Sequence, residues 1–175
     1  MPSSSLPLLA TTALVALEHR PARVLDVGPG NGKYGVILRE YGHRHLELLD
    51  AVEAEPRYLE SFPWLSALYD HVYTTDVVHL VDHSLARYDL VLMVDVLEHL
   101  THDDGEELLR RIPGRVVVST PRDFFQNPEA DQGWPTERHR SVWTVDELAA
   151  VRDLEVVDVD AFDKLGGIIV RAAPL

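Results

Sequence analysis

The stretch from Val24 to Gly35 constrains the fold of this chain more than any other part of the sequence. Val24–Val27 has strand character, and glycines alternate at Gly28, Gly30 and Gly32 in the turn that follows it. Glycines let the backbone turn sharply, and they let a ligand approach the start of the next helix without a Cβ in the way. The stretch therefore predicts a strand, a ligand-binding turn and a helix at the beginning of an α/β sheet.

Length and charge narrow the class of protein. The 175 residues suit one domain, and we predict a single domain over 1–175. Only 16 basic residues stand against 29 acidic ones, giving a net charge of -13, which disfavours nucleic acid as a partner. The absence of cysteine excludes disulfides and thiolate metal sites and suits the cytoplasm, where we expect the protein to work.

The apolar run Leu6–Leu17 resembles the core of a signal peptide. However, no Lys or Arg precedes it, no small-residue cleavage site follows it, and it is too short to span a bilayer. We predict that residues 1–21 form a helical extension, with an amphipathic helix covering one edge of the domain, and we expect no membrane segment. The sequence leaves the oligomeric state open.

Apolar runs of β character alternate with helical patterns along the chain. Strands are predicted at Arg23–Val27, Leu46–Val52, His71–Thr74, Tyr88–Val94, Arg115–Ser119, Leu154–Phe162 and Gly167–Arg171. Helices are predicted at Leu8–His19, Lys33–Tyr41, Arg57–Leu68, Asp103–Arg111 and Val145–Val151. This order predicts a doubly wound, mostly parallel seven-stranded α/β sheet. The last two strands are separated only by Asp163–Gly166, which predicts a C-terminal antiparallel hairpin.

The glycine turn fits two cofactor motifs. Gly30–Gly35 matches the dinucleotide fingerprint G-x-G-x-x-G, whereas Asp26 with the three alternating glycines gives D-x-G-x-G-x-G. The second spacing resembles the first motif of class I S-adenosylmethionine-dependent methyltransferases. Two later segments, Tyr88–Leu100 and Ser119–Pro121, resemble the motifs after that family's fourth and fifth strands. The resemblance covers nearly the whole chain and implies a Rossmann-like fold.

The same resemblance implies a cofactor site for S-adenosylmethionine, with S-adenosylhomocysteine as product. Glu53, in preference to Asp50 or Glu55, matches the acid that takes the ribose hydroxyls. Asp76 matches the adenine-side acid, with Val77 lining the ring. The expected cofactor-binding set is Asp26, Gly28, Pro29, Gly30, Gly32, Glu53, Asp76, Val77 and Asp95.

Asp95, Glu98 and His99 are spaced so that a helix would place them on one face. Together with the later His139, they resemble two metal-using groups, the ubiquinone-pathway O-methyltransferases and the small-RNA 3′-terminal 2′-O-methyltransferases, although Asp95 stands where those groups have Glu. The resemblance implies a divalent ion such as Mg²⁺ or Mn²⁺ on these four residues. The alternative is a capping box with Asp95 as N-cap and His99 packed beneath the cofactor.

The segment 121–143 is the longest irregular stretch and is predicted to be a loop on the substrate side. Its aromatic residues either line the acceptor pocket or attach the loop to the core; they are Phe124, Phe125, Trp134 and Trp143. His99 and His139 are the candidate catalytic residues, as bases or ligands of the acceptor.

Taken together, these patterns predict methyl transfer to an oxygen or nitrogen of a small-molecule acceptor. A non-catalytic cofactor-binding or regulatory module on the same fold stays open as the alternative, and a nicotinamide-dependent oxidoreductase is the weaker third reading.

Overall fold

The structure is a computed structural model that describes residues 6–121, 133–152, 154–159 and 167–172. Its central sheet has the order β3-β2-β1-β4-β5-β7-β6. The strands are β1 (Arg23–Val27), β2 (Leu48–Glu53), β3 (His71–Thr74), β4 (Leu90–Val94), β5 (Arg115–Pro121), β6 (Glu155–Val159) and β7 (Gly167–Ala172). The pairings among β1 to β5 are all parallel, which confirms the predicted mostly parallel α/β sheet.

The C-terminal end of the sheet runs the other way. Strand β7 pairs antiparallel with both β5 and β6, with Val118 opposite Val170 and Val156 opposite the same residue. The predicted hairpin turn, Asp163–Gly166, lies outside the described residues.

Helices connect the parallel strands. They are α1 (Leu6–Leu17), α2 (Lys33–Gly42), α3 (Pro56–Ser61), α4 (Leu65–Leu68), α5 (Asp82–Leu85), α6 (His102–Arg111) and α7 (Val145–Arg152). The single helix predicted over Arg57–Leu68 is wrong: it is divided into α3 and α4. Phe62 ends α3 with φ −127° and ψ 68°, because the following Pro63 disfavours helical geometry in the residue before it.

The two faces of the sheet bury separate apolar clusters. On one face Leu25, Val91 and Val116 pack beneath α6 and α7. On the other face Val24 and Leu92 alternate with them and pack beneath α2 and α1. A strand with apolar side chains on both faces has to be covered on both sides, so the carboxyl ends of the strands form the rim where a ligand can enter.

Helix α1 lies on a face of the sheet, beside α2 and over β5 and β7. Its predicted role of covering one edge of the domain stays a prediction. Ala16 is buried there in the cluster that also holds Leu38. Among the helices that the structure describes, none combines the length and the apolar character that a membrane span requires.

Candidate active site

The glycine turn leaves β1 at the carboxyl rim of the sheet. Gly28, Gly30 and Gly32 all have positive φ values, of 62°, 56° and 84°, in the left-handed region that favours glycine. A Cβ on Gly28 would lie 3.0 Å from a methyl group of Val96, so the turn has no room for a side chain there. The Gly28 amide donates to the Val52 carbonyl at 2.9 Å, which fixes the turn against the end of β2.

Asp26 lies beneath this turn. Its side chain is 2% exposed and accepts a hydrogen bond of 2.6 Å from the Tyr69 hydroxyl. Burial raises the pKa of Asp26 to about 7, while Tyr69 and Lys33 act in the opposite direction. Asp26 therefore supports the turn from below, and its direct contact with a cofactor stays a prediction.

Three acids compete for the position at the end of β2, and the structure separates them. Asp50 is fully buried and accepts a hydrogen bond from Tyr88 at 2.7 Å. Glu55 caps α3 and forms an ion pair of 2.7 Å with Arg57, which holds its pKa at about 2. Glu53 accepts the backbone amides of Glu55, at 2.8 Å, and of Ala54, and it has no cationic partner in the described part of the chain. A carboxylate accepts up to about four hydrogen bonds, so Glu53 is the acid of the three with the most capacity left for a ligand.

Burial dominates the electrostatics of Glu53. The side chain is 5% exposed, and desolvation raises its pKa to about 7 against the effect of the Glu55 amide. A ligand that donates a hydrogen bond to the buried, ionised carboxylate stabilises it, because the hydrogen bond offsets the cost of burying the charge.

Asp76 follows β3 and begins a 3₁₀ turn at Val77–His79. One of its carboxylate oxygens accepts the Val78 amide at 3.1 Å. Val77 itself is 4% exposed and packs in the apolar cluster beneath α6. Asp76 therefore lies at the carboxyl rim of the sheet beside β2, whereas the side chain of Val77 belongs mainly to the core.

Asp95 has a backbone conformation that the sequence did not indicate. Its φ is 53°, which is uncommon outside glycine, and the Ser119 hydroxyl donates to its carboxylate at 3.1 Å. The helix on which a shared face of Asp95, Glu98 and His99 depended is not formed: a 3₁₀ turn covers only Leu97–His99. Asp95 does not cap that turn, so the capping box is wrong as well. Burial raises the pKa of Asp95 to about 6, with Lys33 opposing.

Glu98, His99 and His139 meet at the next point along the rim. One ligand atom from each lies within 4.8 Å of the others, which makes this a candidate metal group; Asp95 is not in it. Burial and the charge of Asp95 raise the pKa of Glu98, whose carboxylate accepts from Thr120 at 3.2 Å.

The two histidines are poised as neutral rings. Burial lowers the pKa of His99, and burial with the charge of His99 lowers that of His139 to about 4. The Nδ1 atom of His99 is buried without a hydrogen-bond partner in the described part of the chain. A neutral imidazole can bind a metal ion or accept a proton, so the geometry suits both predicted roles of the two histidines, as metal ligands and as bases.

A crossing segment, residues 133–141, brings His139 to this point. At one end Arg57 donates to the Gly133 carbonyl at 2.8 Å and stacks 4.1 Å from the Trp134 ring. At the other end the Arg140 amide donates to the Glu98 carbonyl at 2.6 Å. The segment therefore joins the region after β2 to the region after β4. The sequence predicts this stretch as part of a loop but not these contacts, because their partners lie far away along the chain.

The predicted role of Trp143 in the acceptor pocket is wrong. Its side chain is 0% exposed, donates to the Ser141 hydroxyl at 2.9 Å and fills the space left by Gly105. It belongs to the core cluster beneath α6, which agrees with the alternative interpretation that Trp143 attaches the loop to the core. Phe124 and Phe125 lie outside the described residues.

Lys33 is a site residue to which sequence reasoning gave no role. It is the first residue of α2, and its charge interacts with both Asp95 and Asp26. Burial nevertheless lowers its pKa. Its position directly after the glycine turn is the one sequence signal that could have marked Lys33 as a site residue.

A family model for the methyltransferase domain matches residues 6–153. The chain belongs to the methyltransferase-domain family. No curated protein sequence is similar enough to count as a relative of this methyltransferase.

Solved structures share the fold of this methyltransferase at low sequence identity. The N-terminal domain of EvdMO1, crystallised with S-adenosylhomocysteine and D-fucose, is 17% identical with a TM-score of 0.67, over 94% of this chain and 83% of that one. The N-methyltransferase NodS from Bradyrhizobium japonicum WM9, in complex with S-adenosylhomocysteine, is 16% identical with a TM-score of 0.63, over 93% and 83%. A structure named for Zn-dependent alcohol dehydrogenases from Rhodobacter sphaeroides is 10% identical with a TM-score of 0.68, over 99% and 91%. These likenesses concern the fold alone.

Proposed function

We propose that this methyltransferase uses S-adenosylmethionine to methylate an oxygen or nitrogen of a small-molecule acceptor, with residues 1–175 acting as one domain. The observation that carries the proposal is Glu53, buried at the end of β2 with carboxylate capacity left over, while Asp50 and Glu55 are both engaged. The two methyltransferase structures crystallised with S-adenosylhomocysteine support the choice of cofactor.

In this proposal the chain holds the cofactor along the carboxyl rim. The backbone at Gly28–Gly32 approaches the amino-acid portion closely, because its glycines leave no side chains in the way. Glu53 accepts the ribose hydroxyls, and Asp76 accepts from the adenine amine with the carboxylate oxygen not used by Val78.

Next to the proposed cofactor site, the acceptor meets the carboxylate of Glu98 and the neutral imidazoles of His99 and His139. The cofactor supplies an electrophilic methyl group, and the protein orients the nucleophile and excludes water. His99 and His139 have lowered pKa values, so both are uncharged at neutral pH and able to accept a proton from a hydroxyl or ammonium.

The same residues also support a divalent cation, which we propose is held by Glu98, His99 and His139. One carboxylate and two imidazoles suit Mn²⁺ or a similar ion, and the unpartnered Nδ1 of His99 fits such a role. A bound cation would also offset the unfavourable charge of Glu98 beside Asp95.

Isothermal titration calorimetry with S-adenosylhomocysteine and with NAD tests the cofactor. Binding of the first without the second supports the proposal, and the reverse result favours an oxidoreductase. Transfer of a labelled methyl group to a panel of hydroxyl and amine acceptors then separates an enzyme from a module that binds the cofactor without turnover.

A further inference from the structure

A cavity of about 350 Å³ opens at the amino-terminal ends of β4 and β5, on the side of the sheet opposite the rim that carries the glycine turn. Its walls are largely apolar and come from the end of α1 and the beginnings of two parallel strands. They include Ala16, Leu90, Val116 and Val117. A cavity of this volume lies at the small end of the range for ligand sites.

This cavity is separate from the cofactor site. It includes Leu90 at the start of β4, whereas Asp95 follows the other end of that strand. At a rise of about 3.3 Å per residue the two positions are roughly 16 Å apart. A ligand in one site does not occupy the other.

The charged side chains around the cavity are unevenly paired. Arg171 binds both acids on the wall, Glu155 at 2.9 Å and Glu18. Arg115 also lines the cavity and is half-buried, but its side chain makes no hydrogen bond or ion pair in the part of the chain that the structure describes. Among the described residues the guanidinium of Arg115 is therefore left to solvent, and an anion that reaches it forms a charge-assisted hydrogen bond.

We propose that this cavity binds a small amphipathic carboxylate. The apolar part of such a ligand packs against Ala16, Leu90 and Val117, and its carboxylate pairs with Arg115. Arg171 holds both Glu18 and Glu155, and with Arg115 counted the two acids and two arginines of the wall carry no net charge, so a carboxylate meets no net repulsion. A neutral apolar molecule leaves Arg115 unpaired, and a cationic one adds repulsion.

Calorimetry with octanoate and with octanol tests the proposal. The wild-type chain is expected to bind one octanoate, and Arg115→Gln to bind it at least roughly tenfold more weakly, because a charge-assisted hydrogen bond is lost. Octanol, which lacks the charge, is expected to bind both proteins equally. Arg110→Gln is the matched control, since Arg110 is an exposed arginine of α6 paired with Glu106 at 2.9 Å.

A second variant, Ala16→Leu, fills part of the cavity and is expected to weaken both ligands. Absence of octanoate binding to the wild type at millimolar concentration overturns the proposal, and so does equal binding by wild type and Arg115→Gln. Circular dichroism and thermal unfolding of the same samples confirm that the variants fold. The inference does not rest on the proposed function, because neither octanoate binding nor the fold control depends on cofactor binding.

Discussion

The rings of His99 and His139 meet edge to face with their centroids 4.9 Å apart, although the two residues lie on different segments of the chain. His99 ends the 3₁₀ turn after β4, and His139 arrives on the crossing segment. Glu98 completes the group. This meeting point is where we expect the chemistry to depend on a cation or a base.

For the cation, we predict that Mn²⁺ added to chelator-treated protein raises the unfolding temperature of the wild type, because a ligand that binds only the folded state stabilises it. His139→Gln is expected to lose that shift. His83→Gln, at an exposed histidine of α5, is the control and keeps it. Differential scanning fluorimetry measures the shift, and an equal shift in His139→Gln excludes this residue as a ligand.

Glu53→Gln is predicted to make the folded protein more stable at pH 8. Burial raises the pKa of Glu53 from 4.5 to about 7 in the folded state, so folding becomes less favourable as the pH rises through that window. Removing the charge is expected to increase the free energy of unfolding by up to about 3 kcal/mol at pH 8. Below pH 4.5 both states carry the proton and the difference vanishes. Urea unfolding at pH 8 and pH 4 measures both values, and equal differences at the two pH values contradict the assignment.

Tyr69→Phe is predicted to destabilise the fold by about 1–3 kcal/mol, because it removes the hydroxyl that donates to the buried Asp26. Tyr41→Phe is the matched control, since Tyr41 is 70% exposed. Urea unfolding of the two variants checks the prediction. A similar small effect in both would mean that Asp26 does not need Tyr69.

Gly28→Ala is predicted to cost about 1–2 kcal/mol of stability and to weaken cofactor binding, because an L residue is strained at a φ of 62° and the new Cβ meets Val96. Gly42→Ala, in α2, has ordinary contacts of 3.6 Å or more and serves as the control. It is expected to be neutral or stabilising. Thermal unfolding compares them, and equal effects would contradict the role of the turn.

Much of the fold follows from local sequence signals. The bounds of β1 and β3 match their predictions because β-rich runs bounded by turn residues specify strands, whether buried as in β1 or half-exposed as in β3. Glu53 was preferred over its neighbours by its place after β2, and the hydrogen bonds of Asp50 and Glu55 now give a physical reason for that preference.

The remaining features depend on contacts between distant parts of the chain. Asp95 takes a positive φ at the end of β4, where its amide and carboxylate both bind Ser119 of β5. Trp143 is buried because Gly105 of α6 leaves space for its ring. Periodicity along a sequence records neither relationship. The sequence therefore could not show that Asp95 neither shares a helical face with His99 nor caps a helix, or choose between the two roles left open for Trp143.

The central claim is that Glu53 holds a cofactor of the S-adenosylmethionine type. Its most direct test is the affinity for S-adenosylhomocysteine of Glu53→Gln beside the control Glu60→Gln, an exposed acid of α3. We predict that calorimetry shows affinity reduced at least roughly tenfold in Glu53→Gln, since a charged acceptor is lost, and unchanged in Glu60→Gln. Equal affinity in the two variants would contradict the account.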